Sequence, residues 1–195
     1  TPQKFIEKKE PGHIRVASWN VARFIELRRN TNSGSETRLK MLELLKEQNA
    51  DILCLQEFHT STNPDYYNNI EAVQALGYPY FYFSYDADGD QHYYSSIIFS
   101  RLPIIDSGKV RYPRPSLPEV LLYADLQVGQ DTIRVYATHL QSLQFNRHDY
   151  ERIEKIKSVE DSLLANSKGI LSKLKKGITF RSIQADIVHG VMINT

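Results

Sequence analysis

The sequence predicts a mixed α/β fold in which two β-sheets pack against each other and helices lie outside them. Strand and helix patterns alternate up to about residue 77, and strand-like segments then follow one another to about residue 138. Helical spacing of apolar side chains returns beyond residue 140. Elements in this order are typical of a sheet-on-sheet core that is covered by helices.

The first part of the chain predicts a strand followed by a helix. Residues 14–20 alternate between apolar and polar side chains and are rich in strand-forming types, which indicates a strand. Ser35 can cap a helix that runs from Glu36 to about Gln48. Its apolar side chains fit one wide helical face, made of Leu39, Met41, Leu42, Leu44 and Leu45.

The next segments predict a buried strand and then a series of shorter strands. Residues 50–56 are continuously apolar after Asp51, which is typical of a strand buried on both faces. We expect a polar loop over 59–65 and a helix over 66–76 that ends at Gly77. Further strands are predicted near residues 79–85, 92–100, 104–112, 119–127 and 131–138, with turn residues between them.

The last part of the chain is predicted to be helical. One long helix is expected from Phe145 to about Leu164, and a less regular segment over 168–192 is expected to form one or two helices. Residues 1–12 are polar and charged, and we expect a flexible leader there, followed by a domain over 13–195. Because the chain begins with Thr1 rather than Met, a signal or anchor can have been removed, and the compartment stays open.

Charge and cysteine content narrow the classes of function. The formal net charge is only +1, which is not the bulk basic signature of a protein that coats nucleic acid. An anionic substrate would therefore be held by local charges or by a metal. The single cysteine, Cys54, excludes a disulfide framework and is expected to be a small buried apolar side chain. No apolar run is long enough for a membrane span.

Three polar side chains follow strand-like segments and could meet at one edge of a sheet. They are Asn20, Glu57 and His139. Taken singly, each is more often structural: a turn asparagine, a surface glutamate or a structural histidine. Together they would suit hydrolysis of a phosphate ester, because Glu is a hard ligand for Mg²⁺ and His can contact a phosphoryl oxygen or donate a proton. Ligand sites in α/β sheets commonly gather at such strand ends.

Four segments in order resemble the endonuclease/exonuclease/phosphatase family, whose fold is DNase I-like. Residues 18–21 resemble its S-W-N motif, and residues 50–57 resemble its A-D-I-x-x-L-Q-E motif. Residues 96–104 are similar to its A-I-F-S-R-x-P-I segment, and residues 138–140 to its T-H-L motif. The resemblance covers about residues 13–192.

The resemblance implies a four-layer sandwich of two mixed sheets flanked by helices, a Mg²⁺ or Mn²⁺ cofactor and cleavage of a phosphate ester. It implies that Glu57 ligates the metal, that Asn20 orients the metal or the phosphate, and that His139 contacts the scissile phosphate. We also expect Arg28 and Arg29, in the loop after the first motif, to steer an anionic substrate, although ordinary surface charge is the alternative. The family includes nucleases, inositol-polyphosphate phosphatases and sphingomyelinases, so nucleic acid stays one candidate substrate.

The chain departs from the family pattern in its last part. The family's G-D-x-N and S-D-H motifs are absent, and Asp186 and His189 are interpreted as helix residues instead. We therefore expect the C-terminal part of the second sheet to be missing, the chain alone to be inactive, and exposed sheet edges to favour self-association. Two alternatives stay open: a catalytically dead binding module on the same fold, and an artificial truncation of the full enzyme.

Overall fold

A computed structural model describes residues 9–27, 29, 35–86, 89, 91–113, 119–142, 145, 147–157 and 163–194. The chain divides into two compact units. The first unit comprises residues 1–111 and 118–139, and the second comprises residues 112–117 and 140–195. None of the described helices is both long enough and apolar enough to cross a membrane.

The first unit contains a mixed four-stranded sheet. Its strand order is β1-β2-β4-β3, with β1 parallel to β2 and the other neighbouring strands antiparallel. The parallel register pairs Val16 with Ile52 and Asn20 with Gln56, so β1 ends beside the middle of β2. The strands are β1 (Val16–Asn20), β2 (Ile52–Ser61), β3 (Tyr80–Phe83) and β4 (His92–Ser100).

A second sheet in the same unit is antiparallel in its three described strands. They lie in the order β5-β6-β7 and comprise Ile104–Arg111, Val120–Val128 and Asp131–Thr138. The predicted strands of the middle region are thereby confirmed, with ends that differ by one or two residues. Two sheets with accompanying helices confirm the predicted α/β sandwich class.

The two sheets share an apolar core. In β2 and β4 the side chains of Ile52, Cys54 and Ile98 point to this core. The second sheet contributes Val120, Leu122, Ala124, Leu126 and Ala137. Burial raises the pKa of the Cys54 thiol to about 11, which keeps the group protonated and unreactive near neutral pH. The prediction of a buried, inert cysteine is confirmed.

The opposite face of the first sheet packs against two helices, α1 (Ser35–Glu47) and α2 (Asn69–Gln74). Leu53, Leu55 and Phe58 of β2 alternate onto this face together with Phe99 of β4. Helix α1 starts within one residue of the predicted start, but its buried face is shifted. The buried positions are Arg38, Met41, Leu42 and Leu45, whereas Leu39 and Leu44 are exposed.

Arg38 explains this correction of the α1 face. Its Nε donates to Asn69 Oδ1 at 2.8 Å, its backbone N–H donates to Glu26 Oε1 at 2.9 Å, and its guanidinium lies over the Tyr67 ring. These partners stabilise the buried Arg38 cation on a helix face where the apolar pattern predicts Leu39. Burial lowers the pKa of Arg38, and Tyr67 and Glu26 act in the opposite direction.

The predicted loop over 59–65 is wrong in its first part, because β2 continues to Ser61. His59, Thr60 and Ser61 are buried and pair with the first residues of β4. Polar side chains are normally a loop signal, but here the strand pairing and hydrogen bonds such as Ser61 Oγ to Gln91 O at 2.8 Å satisfy them. Helix α2 is also shorter than predicted, since it begins after the N-cap Asn68.

The second unit contains helix α3 (Arg147–Lys157) and helix α4 (Leu163–Ile193). The expected single helix over 145–164 is wrong, because α3 ends at Lys157. The segment over 168–192 belongs to one helix of 31 residues rather than two short ones. Asp186 and His189 lie in α4, as the sequence predicts. Lys173 Nζ lies 2.5 Å from the buried Asp149 Oδ2 and ties the two helices together.

Of the predicted leader, residues 1–8 lie outside the described residues. Lys9 is described, and its Nζ lies 2.5 Å from Asp51 Oδ1 at the start of β2. Asp51 Oδ2 also accepts a hydrogen bond of 2.8 Å from the backbone N–H of Arg15. Lys9 therefore lies at the end of the sheet where β2 begins.

Candidate active site

A β-bulge in β2 sets the position of Glu57. Leu55 pairs with Ile97 and Phe58 pairs with Ser95, so Gln56 and Glu57 together face a single residue of β4. Glu57 has a φ of 51°, in the left-handed region. A bulge of this kind inserts one residue and re-aims a side chain without interrupting the strand.

The bulge separates the core from the site. Leu55 and Phe58 both point into the apolar core beside the helices, although three residues of an unbroken strand would put them on opposite faces. The extra residue leaves Glu57 out of that core, and its side chain keeps 28% of its accessible surface. A carboxylate at this position avoids the large cost of burying an unpaired charge.

Asn20 lies beside Glu57 because β1 is parallel to β2 and ends at Gln56 in the register. Asn20 Nδ2 donates to Glu57 Oε1 at 2.8 Å. Asn20 Oδ1 accepts a hydrogen bond from the backbone N–H of Ala22 at 3.0 Å. One amide therefore holds both the carboxylate and the start of the following turn.

His139 comes directly after β7 and reaches the same carboxylate from the second sheet. Its Nε2 lies 3.7 Å from Glu57 Oε1, and its side chain is 26% exposed. The structure thus brings together Asn20, Glu57 and His139, the three side chains that the sequence singles out. What each side chain does chemically remains a prediction.

Two further side chains, Arg23 and Tyr94, belong to this region, and the sequence patterns do not indicate them. The Arg23 guanidinium lies 4.1 Å from the centre of the Tyr94 ring. The pKa of Tyr94 is raised, first by burial and then by the negative charge of Glu57, whereas Arg23 acts in the opposite direction. Glu119 also raises it. The only sequence signal for Arg23 is its place three residues after Asn20.

No described contact joins the predicted substrate-binding residues Arg28 and Arg29 to Asn20, Glu57 or His139. Arg28 lies outside the described residues. Arg29 donates from Nε to Tyr66 O at 2.8 Å, and its backbone N–H donates to Asp65 O at 2.9 Å. Arg29 therefore packs on the loop after β2, and its part in substrate binding stays a prediction.

Residues 86–90 carry aspartates at alternate positions, as the start of a calcium loop does, but the closing glutamate of such a loop is absent. The first of these aspartates has a structural role. Asp86 is buried and accepts a hydrogen bond of 2.7 Å from Arg111, with Lys109 Nζ at 3.7 Å. Ala87, Asp88 and Asp90 lie outside the described residues. The charge of Asp86 is thus paired with two cations.

The donor set at Glu57 suits a hard cation that keeps much of its water. Glu57 offers a carboxylate, and the Asn20 amide oxygen, which accepts from the Ala22 N–H, has a second lone pair; both oxygens are of the type that Mg²⁺ prefers. Across the described residues, no group of three or more His, Cys, Asp or Glu side chains is arranged to hold a metal. Mg²⁺ commonly binds through one or two carboxylates together with substrate phosphates, so these residues fit the ion in that mode.

The two packed sheets define a DNase I-like fold class, and the carboxylate, amide and imidazole lie together at one edge of it. A model of the endonuclease/exonuclease/phosphatase family matches residues 17–169, and the chain belongs to this family. The family is a superfamily of hydrolases of the nuclease and phosphodiesterase type. The family and fold expected from the sequence motifs are confirmed.

The chain is similar to several solved structures, of which humanised D. rerio TDP2 supports the same fold. D. rerio TDP2, humanised by 14 mutations, is 21% identical, with a TM-score of 0.50 over 75% of this chain and 54% of that one. The human Nocturnin catalytic domain with bound sulfate is 22% identical, with a TM-score of 0.48 over 83% of this chain and 61% of that one. The chain spans about half the length of the D. rerio protein structure. Among curated proteins, none matches the chain significantly.

Proposed function

We propose that this chain contributes the active site of a divalent-metal-dependent hydrolase of phosphate esters. The observation that carries the proposal is the convergence of Asn20 and His139 on one carboxylate oxygen of Glu57, at 2.8 and 3.7 Å. An amide, a carboxylate and an imidazole at one partly exposed edge supply the donor types that binding and cleavage of a phosphate ester need.

Glu57 and Asn20 would hold Mg²⁺ or Mn²⁺. The ion, when bound, would neutralise charge on the phosphate oxygens and polarise the phosphoryl group. Asn20 fixes the carboxylate through its Nδ2 hydrogen bond, which limits the rotation of Glu57. His139 would donate a hydrogen bond from Nε2 to a phosphoryl oxygen, or give its proton to the leaving oxygen.

Two kinds of phosphate ester are candidate substrates: nucleic acid and smaller esters. The net charge of +1 gives no general attraction to a polyanion, so a nucleic acid would have to be recognised locally. A second D. rerio TDP2 structure contains a single-stranded DNA product. That fact concerns TDP2, and it makes a short single-stranded oligonucleotide the first substrate to assay here.

The test is turnover of a single-stranded oligonucleotide and of bis(p-nitrophenyl) phosphate with Mg²⁺ or Mn²⁺, and with EDTA as the metal-free control. The chain alone is expected to be inactive because the G-D-x-N and S-D-H motifs are absent, so metal-dependent cleavage would overturn that expectation. Any such cleavage should fall about 100-fold or more in Glu57→Gln, because the variant removes the charged metal ligand. Glu43→Gln removes an exposed carboxylate of α1 and should cleave like the unmodified chain. Equal cleavage by Glu57→Gln, or cleavage that survives EDTA, would refute the proposal.

A phosphate-binding module without catalysis is the second candidate. It is favoured because no group of three or more His, Cys, Asp or Glu side chains among the described residues is arranged to hold a metal. A folded chain that binds phosphate or oligonucleotide with Mg²⁺ but cleaves neither substrate would support this candidate over the enzyme.

A further inference from the structure

Arg23 is carried by an unusual backbone turn directly after Asn20. Four successive residues without a glycine have positive φ: Ala22 (45°), Arg23 (58°), Phe24 (57°) and Ile25 (65°). We call this segment the left-handed turn. For L-residues the left-handed helical conformation costs about 1–2 kcal/mol each, so the surroundings must enforce it.

Contacts before and within the left-handed turn hold its backbone in this conformation. Before it, the backbone N–H of Val21 donates to Gln56 O at 2.9 Å, and Asn20 Oδ1 accepts from the N–H of Ala22. Within it, Phe24 is fully buried and meets the Phe58 ring edge-on, with ring centres 5.7 Å apart. Strained backbone persists where packing over-determines it, and it clusters at functional sites.

The turn delivers the Arg23 side chain to the face of Tyr94. A right-handed turn would direct this side chain elsewhere, since the left-handed conformation changes the direction of the Cα–Cβ bond relative to the chain. The contact of 4.1 Å between the guanidinium and the ring centre is a cation–π contact. It fixes a long side chain that would otherwise lose much rotamer entropy on binding a ligand.

Tyr94 also connects Arg23 with Glu57. Tyr94 pairs with His59, two residues after Glu57 on β2, and the hydrogen bond from Val21 N–H to Gln56 O fixes the start of the left-handed turn at the bulge. Arg23, which lies on the Tyr94 ring, is therefore held beside the bulge that carries Glu57. A phosphate that approaches Glu57 is repelled by the carboxylate, and a fixed cation nearby offsets that repulsion.

We propose that Arg23 binds a non-bridging oxygen of the substrate phosphate beside Glu57, and that Tyr94 is a positioning residue that holds the guanidinium by stacking. This assignment rests on the proposed function for the chemistry of the ligand. A guanidinium carries five N–H donors, so the ring contact and the hydrogen bond with Tyr94 are compatible with a further hydrogen bond to phosphate.

The test is the affinity for inorganic phosphate in the presence of Mg²⁺, measured by isothermal titration calorimetry on the intact chain. Arg23→Gln should weaken binding about tenfold, the loss expected for a charge-assisted hydrogen bond. Arg23→Lys should lie between Arg23→Gln and the unmodified chain, because lysine keeps the charge but not the planar fork. Unfolding midpoints of both variants show whether each is folded. If Arg23→Gln does not fold, the phosphate affinity of Arg23→Lys decides the test.

Arg101 provides a matched control. Its guanidinium also lies over a tyrosine ring, Tyr78, at 4.8 Å. It follows Ser100, which pairs with Ile52 at the start of β2, five residues before Glu57. Arg101→Gln removes the same charge and should leave phosphate affinity unchanged.

Tyr94 variants test the positioning role. Tyr94→Phe keeps the ring contact but loses the hydroxyl hydrogen bond with Arg23, so it should weaken phosphate binding less than Tyr94→Leu, which loses both. Combining Tyr94→Leu with Arg23→Gln should add little further loss, because both changes act through one guanidinium. A purely structural role of Tyr94 would instead give additive losses.

Several outcomes would overturn this inference: no saturable phosphate binding by the unmodified chain, unchanged affinity in folded Arg23 variants, or an equal loss in Arg101→Gln. The outcome for the proposed function is separate. Arg23-dependent phosphate binding without any metal-dependent turnover would keep this inference and remove the enzyme proposal.

Discussion

Asn20 illustrates at the scale of one residue how the site and the backbone depend on each other. Its amide nitrogen donates to Glu57, and its amide oxygen accepts from the N–H of Ala22. The same side chain thus orients the proposed metal ligand and caps the left-handed turn that carries Arg23. Aspartate could accept from Ala22 but could not donate to Glu57, so the amide is chemically required.

Replacing Asn20 by alanine should lower stability and weaken phosphate binding together. The variant loses two hydrogen bonds, each of which contributes about 0.5–1.5 kcal/mol. Urea unfolding measures the loss in stability. Asn63→Ala is the matched control, since Asn63 Oδ1 accepts one hydrogen bond from the N–H of Asp65 at 3.0 Å and contacts no described carboxylate. An Asn20→Ala chain as stable as the control would contradict this account.

Among single residues, the sequence predicts the three site side chains but not Arg23 or Tyr94. Asn20 and His139 end strands, and Glu57 follows an apolar run, so strand patterns are enough to indicate them. The left-handed turn has neither glycine nor asparagine among its four residues, so its local sequence does not predict positive φ angles. Its conformation is set by tertiary contacts such as Phe24 with Phe58.

At the scale of elements, alternation of apolar and polar side chains predicts the strands well and the helices less well. Helix α1 was placed within a residue at its start and end, yet its buried face includes Arg38 in place of Leu39. A buried cation can be recognised only once its partners Glu26 and Asn69 are placed beside it. The extension of β2 through His59 was missed for the same reason.

The α1 face gives a direct test, because Leu45 is 2% exposed and Leu39 is 59% exposed. Leu45→Ala should destabilise the chain by about 2–5 kcal/mol, since it leaves a cavity in the core. Leu39→Ala should change stability by no more than about 0.5 kcal/mol. Urea unfolding of both variants measures the difference. Similar losses in the two variants would mean that the helix is rotated relative to the described structure.

The cross-strand pair of Asp125 on β6 and Arg134 on β7 predicts a pH dependence of stability. Two hydrogen bonds, of 2.6 and 2.7 Å, join the guanidinium and the carboxylate. The hydrogen bond from Arg134 holds the pKa of Asp125 below its ordinary value. A depressed folded-state pKa contributes stability above the unfolded-state pKa, and that stability is lost as the pH falls through the folded-state pKa.

Asp125→Asn should therefore lower the urea midpoint at neutral pH, and the gap from the unmodified chain should close as the pH falls below the folded-state pKa of Asp125. Midpoints measured across the acidic range test this expectation. Asp131→Asn, at the exposed start of β7, serves as the control. A gap that stays constant down to the lowest pH would show that the lost stability does not come from the charge of Asp125.

At the scale of the first unit, the site exists only when the two sheets are packed. Glu57 and Asn20 lie on the first sheet, His139 follows the last strand of the second, and the shared apolar core of Ile98 and Leu122 holds the sheets together. The sequence could predict both sheets and their order along the chain. It also indicated that these three strand ends could meet, but it could not predict the register and the bulge at Glu57 that bring them together.

The central claim is that Glu57 and Asn20 bind a divalent ion beside His139, and Mn²⁺ titration followed by NMR tests it most directly. Paramagnetic broadening should appear first at the side-chain signals of Asn20 and His139, and it should be lost in Glu57→Gln but kept in Glu43→Gln. Broadening centred elsewhere in the chain, or unchanged by Glu57→Gln, would contradict the account.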